Sequence, residues 1–171
     1  LALCIFTISQ AATYYISPSG NDATGTGTAA NPWRTLAKAT STVTAAGNII
    51  HVTAGTYTET QQINLAVGVS IEGEGATTTI INSTVTGQWS LFLSLDSPQD
   101  TNGNQSISGV TFDGGYVSES NNKTWWGIVV GGRSNVSIHD TRIINFRDRG
   151  VIFDGNDAND PTADPGHYAT G

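Results

Sequence analysis

VSIHDTRIINFRDRGVIFDG, residues 136–155, packs three apolar runs into twenty residues. Each run is too short for a helix, and the corners between them carry charge or glycine. Runs of this kind read as very short strands. The same order recurs upstream. VSI at 69–71, SIS at 106–108 and VSI at 136–138 share a first slot. TIIN at 79–82 returns as RIIN at 142–145, with TFDG at 111–114 between them in a second slot. WSLFL at 89–93, WGIVV at 126–130 and RGVIF at 149–153 fill a third. Inserts such as SPQDTNGNQ and YVSESNNK are loop-like in composition and explain the longer spacings.

A two-sheet sandwich also contains many short strands, but it predicts hairpin turns and no recurring slot order. A coil of about 20–25 residues per turn, with three strands per turn, accounts for the recurrence. Coils stack, so like slots form parallel sheets. Period-two alternation then predicts that Leu91, Leu93, Ile128, Val130, Val151 and Phe153 point inward, with Phe92, Val129 and Ile152 outside. Asn82 and Asn145, which follow TII and RII, are placed at a bend where amides can bond along the stack. The expected fold is all-β: a right-handed, single-stranded parallel β-helix, a three-sheet solenoid.

An open end of such a stack exposes strand edges that need covering. NPWRTLAKATSTVTAAG, just before the first coil, has helix grammar. Asn31 is a candidate cap, Pro32 suits the first turn and Gly47 can end it. Trp33, Leu36, Ala37, Thr40 and Val43 share one face. The spacing predicts an N-terminal capping α-helix over 32–46.

Of the 171 residues only 12% are charged, and the formal charge is −7. An acidic chain repels polyphosphate, which argues against a nucleic-acid partner. No apolar run is long enough for a membrane-spanning helix. LALCIFTISQA, residues 1–11, reads as the apolar remnant of a secretory signal peptide, with Ser9 and Ala11 before the cut. The alternative is a first buried strand. Cleavage would remove Cys4, the only cysteine, and the expected location is secreted or cell-surface.

The run YYISPSGND, then NPWRTLAKA, HVTAGTYTE at 51–59 and GVSIEGEG at 68–75, resembles secreted right-handed parallel β-helix proteins of the pectin lyase-like superfamily. The likeness covers residues 14–153. It implies the fold and a carbohydrate-active role, while the superfamily spans lyases, hydrolases, esterases, epimerases and non-catalytic adhesins. It also implies that more coils follow GHYATG, so residues 12–171 are expected to be the N-terminal part of one β-helix domain.

Aligned by inward positions, Trp89, Trp126 and Arg149 are expected to stack at one corner, with Trp125 and Asp148 just before it. Indole faces cover sugar rings and arginine pairs with uronate carboxylates, so this edge is a candidate polysaccharide groove. The alternative is that the tryptophans are wedges under the inserted loops. The resemblance implies work in a groove beside the third slot, by a base that removes the proton next to a uronate carboxylate and a cation that stabilises the anion. Asp148 and Arg149 are the candidate catalytic pair, and a plain surface ion pair is the competing reading. DGNDANDPTADPGH at 154–167 is rich in oxygen ligands, with Asp154, Asp157 and Asp160 as candidate Ca²⁺ ligands and a solvated loop as the alternative. The leading expectation is a monomeric protein that acts on or binds an acidic polysaccharide, most like a polysaccharide lyase. A glycoside hydrolase and a non-catalytic adhesin-type glycan-binding module remain alternatives.

Overall fold

A computed structural model describes residues 11–118 and 123–154. The proposed signal segment therefore lies outside the described residues, Ala11 excepted. Every named strand pairing is parallel. In chain order the strands are β1 (Thr13–Ile16), β2 (Ile49–Val52), β3 (Gly55–Glu59), β4 (Ile63–Asn64), β5 (Ser70–Gly73) and β6 (Thr79–Ser83). There follow β7 (Leu91–Ser108), β8 (Thr111–Asp113), β9 (Trp126–His139), β10 (Arg142–Ile144) and β11 (Arg149–Asp154). One helix, α1 (Leu36–Thr42), sits between β1 and β2. This is an all-β parallel β-helix with one short helix near its start.

The three slots are present, but their hydrogen-bonded ladders number two. One sheet runs β1-β2-β5-β7-β9-β11 with β4 also on β7, and the other runs β10-β8-β6-β3. The first and third slots merge because β7 and β9 continue around the corner between them. Their pairing resumes across irregularities at Asp96/Thr101 and Asn102/Gln105.

Stacking builds the core. Ile50, Ile71 and Ile107 are in register and fully buried, with Ile138 next in line. In the second slot Tyr57, Ile81, Phe112 and Ile143 are in register. That register slips the repeated motif by one residue: Ile80 faces Thr111, which faces Arg142, so TIIN and RIIN do not superimpose letter for letter. Each copy brings a large apolar residue inward, and the fit of side chains decides the register. Asn145, at φ 56°, donates to Asp113 Oδ1 at 3.0 Å rather than to Asn82. Amide stacking between coils occurs elsewhere, where Asn135 Nδ2 donates to Asn102 and Asn104 at 3.3 and 3.4 Å.

In the third slot Leu93, Ile128 and Val130 enter the main core as expected, joined by Leu95, whereas Leu91, Val151 and Phe153, also expected inward, do not. Phe92, expected outside, is also buried there, 5.5 Å from the Phe112 ring and 6.2 Å from that of Phe146. The alternation breaks where Phe92 finds aromatic partners from the second slot and from the corner after it. Val129 and Ile152, also expected outside, are buried in a second cluster with Trp126, against which Leu91 and Trp125 pack. Val151 and Phe153 are exposed, on the last described strand.

The helix is shorter than its periodicity predicts. Thr35, not Asn31, is its N-cap, accepting from Lys38 N at 3.1 Å. Residues before it extend instead. Trp33 N donates to Tyr15 O, Ser17 N donates to Trp33 O, and Tyr15 N donates to Gly27 O. This segment covers the edge of β1, the Trp33 ring stacks on Tyr14 at 5.8 Å, and α1 closes the core with Leu36 and Ala39 buried. Two carboxylates hold the helix start. Asp22 accepts from Arg34 N, Thr35 N and Thr35 Oγ1, and Glu59 from β3 accepts from Leu36 N and Ala37 N.

Candidate functional site

Three successive coils contribute to the candidate groove at one corner. Trp89 turns the first at φ 64°, and Ser90 O accepts from the backbone N–H groups of Trp125 and Trp126 at 3.2 and 3.0 Å. On the next coil Trp125 O accepts from Asp148 N at 3.0 Å. These bonds set the corners one above another. Arg149 is in register with Trp126, as the alignment predicted, but the partner of Trp126 on the preceding coil is Leu91. Trp89 is two residues earlier and joins the cluster through its turn.

The side chains of the corner form one assembly. Trp89 lies 4.6 Å from Trp125 and 5.8 Å from Trp126, ring centre to ring centre. Trp126 is buried, and its Nε1 donates to Asp148 Oδ2 at 2.9 Å. Arg149 Nε sits 3.6 Å from the same oxygen. The Arg147 guanidinium lies 4.2 Å over the Trp125 ring. Trp89, at 40% exposure, is the tryptophan most open to solvent among those whose exposure decides the matter.

The two readings of the tryptophans therefore divide between residues. Trp126 is a wedge that fixes Asp148, and Trp89 presents ring surface at the rim. Asp148 and Arg149 are brought together, both exposed. The sequence gives no stacking signal for Arg147, because a cation over an indole depends on the corner between coils. Asp154 ends β11, while Asp157 and Asp160 lie outside the described residues. Among the described residues no group of three His, Cys, Asp or Glu side chains is placed to hold a metal, and no helix is long and apolar enough to cross a membrane.

Neither the curated proteins nor the solved structures contain a match to this chain. One family model does match, over residues 18–159, which takes in the cap, the coils and the tryptophan corner. By that match the chain belongs to DUF1565, a family described as proteins of unknown function.

Proposed function

We propose that this protein binds an acidic polysaccharide at the Trp89–Trp125–Arg149 corner, as a secreted or cell-surface β-helix. The observation that carries the reading is that an exposed indole, Trp89, packs on Trp125 of the next coil, which in turn lies under Arg147 of the third coil, where Arg149 pairs with Asp148. Adjacent coils in a parallel stack are about 4.8 Å apart, close to the step of a sugar ring, so side chains on successive coils meet successive sugars. Trp89 supplies apolar ring surface, and Arg149 supplies a carboxylate partner.

Asp148 is engaged by both Trp126 Nε1 and Arg149. That supports a positioning role, with the carboxylate aiming the arginine. The lyase reading instead makes Asp148 or Arg149 the base and rests on the superfamily resemblance.

Affinity electrophoresis of the protein through gels containing polygalacturonate, alginate or a neutral glucan tests the reading, with and without Ca²⁺ to probe the proposed Asp154 ligand set. Retardation in an acidic gel is expected, reduced about fivefold or more by Arg149→Ala and by Trp89→Ala. A parent protein that runs unretarded through both acidic gels overturns it. Release of unsaturated products from either polymer would favour the lyase.

A further inference from the structure

β3 is the end strand of the sheet β10-β8-β6-β3, so only one of its two edges is paired. Gly55 N donates to Thr78 O, and Glu59 O accepts from Thr84 N, both on the β6 side. Backbone groups alternate between the two edges of a strand, so the N–H and C=O of Thr56 and Thr58 face the other way. There they have no partner among the described residues. The usual means of blocking an edge are missing from this one: β3 contains no proline or lysine, and its register with β6 runs without a bulge.

The cap treats the two sheets differently. Along β1 it pairs backbone to backbone, through Tyr15, Ser17 and Trp33. It meets β3 through side chains instead. Pro18 lies against Gly55, the Tyr57 hydroxyl donates to Ile16 O, and Glu59 accepts from Leu36 N and Ala37 N. These contacts leave a cleft of about 200 Å³ beside the open edge, lined by Pro18, Arg34, Thr35, Thr56, Tyr57 and Thr58.

Two features of the cleft select its occupant. Donors and acceptors repeating along a strand edge are completed by another extended backbone, which carries N–H and C=O groups at the same repeat. Arg34 is exposed, and its guanidinium makes no hydrogen bond or ion pair among the described residues, so it favours a carboxylate. We propose that the open edge of β3 is a docking site for an extended acidic peptide, which adds as a further strand along Thr56–Thr58 and sets a carboxylate against Arg34. The site is separate from the glycan corner, since no tryptophan lines it.

Fluorescence anisotropy tests this with three labelled, terminally blocked heptapeptides: TVEVTVT, its basic counterpart TVKVTVT, and TVEVTVT N-methylated at every residue. The acidic peptide should bind, and the basic one about fivefold or more weaker. N-methylation, which removes the donors of the added strand, should weaken binding about tenfold or more. Thr58→Pro deletes an edge N–H without touching the bonds to β6, and should weaken the acidic peptide about fivefold. Arg34→Gln should erase the preference for acid over base, and it carries the test should Thr58→Pro fold poorly. Trp89→Ala should bind the peptide as the parent does. The proposal is overturned if the acidic peptide does not bind at millimolar concentration, if the N-methylated peptide binds equally well, or if Arg34→Gln keeps the preference. Sedimentation velocity and competition with oligogalacturonate identify the other occupants. A parent dimer that Thr58→Pro abolishes, with no peptide binding, assigns the edge to a second copy of the chain and overturns the proposal. Displacement of both acidic peptides, methylated or not, by oligogalacturonate assigns the cleft to an acidic glycan and overturns it too.

Discussion

Glu59 Oε1 accepts a hydrogen bond from Leu36 N at 2.6 Å, across 23 residues of chain. A carboxyl on the first coil thus seats the first turn of the capping helix. Glu59 is 1% exposed, and burial pushes its carboxyl up to about 7 despite the two backbone N–H groups that favour its charged form. The Asp22 carboxylate adds to the rise.

Stability should therefore fall as pH rises from about 4.5 to about 7. In that window the folded state holds a proton on Glu59 that the unfolded chain releases, so raising the pH favours unfolding. The full effect is roughly 3 kcal/mol at about 1.4 kcal/mol per pH unit. Thermal melts from pH 4.5 to 8 of the parent and of Glu59→Gln measure it. The parent's melting temperature should drop relative to the variant's across that range, and parallel profiles would refute the assignment.

Leu36 is fully buried where α1 closes the core. Leu36→Asp places an unpaired charge in that contact and should destabilise the protein by roughly 2 kcal/mol or more. Urea denaturation reads the loss directly. A variant as stable as the parent would mean that the helix does not close the stack.

Trp126 and Trp89 should separate in their effects. Trp126→Ala removes a buried ring and its bond to Asp148, at a cost of about 3 kcal/mol or more. Trp89→Ala, at the rim, should change stability by about 1 kcal/mol or less and still weaken retardation in acidic gels. Melting temperature and gel mobility, measured on both variants, give the two axes.

Gly109 has φ +69°, and a Cβ there would run into the carbonyl of Gly73 on the neighbouring coil. Gly109→Ala should cost about 2 kcal/mol or more, from the left-handed backbone and from the coils being pushed apart. The contrast is Gly87→Ala, also at positive φ but with open space around it, which should cost less. Chemical denaturation of both variants distinguishes crowding from backbone strain.

Much of the fold is legible in the residues themselves. The slot order VSI, TII, then an aromatic-led apolar run recurs because every coil must bury the same few positions, and burial leaves a mark on composition. The first slot is legible as VSI, SIS and VSI, although the pairing sets Ile71 and Ile138 on Ile107, one residue off the letter-for-letter match. The pair Asp148–Arg149 and its register with Trp126 were equally readable. What reading could not decide is how one coil fits on the next. TIIN and RIIN look alike yet slip by one residue, because the contact that matters is between Ile81, Phe112 and Ile143. Phe92 goes inward, where it meets the rings of Phe112 and Phe146. Asn31 looks like a helix cap, but Trp33 has an edge strand to pair with, so the helix waits for Thr35. Glu59 and Arg147 carry no local signal at all, since their partners lie on other coils or in the cap. The sequence by itself determined the repeat and the slots. Tertiary packing alone decided the register, the seat of the cap and which indole faces solvent, because each depends on the space left by residues one coil away.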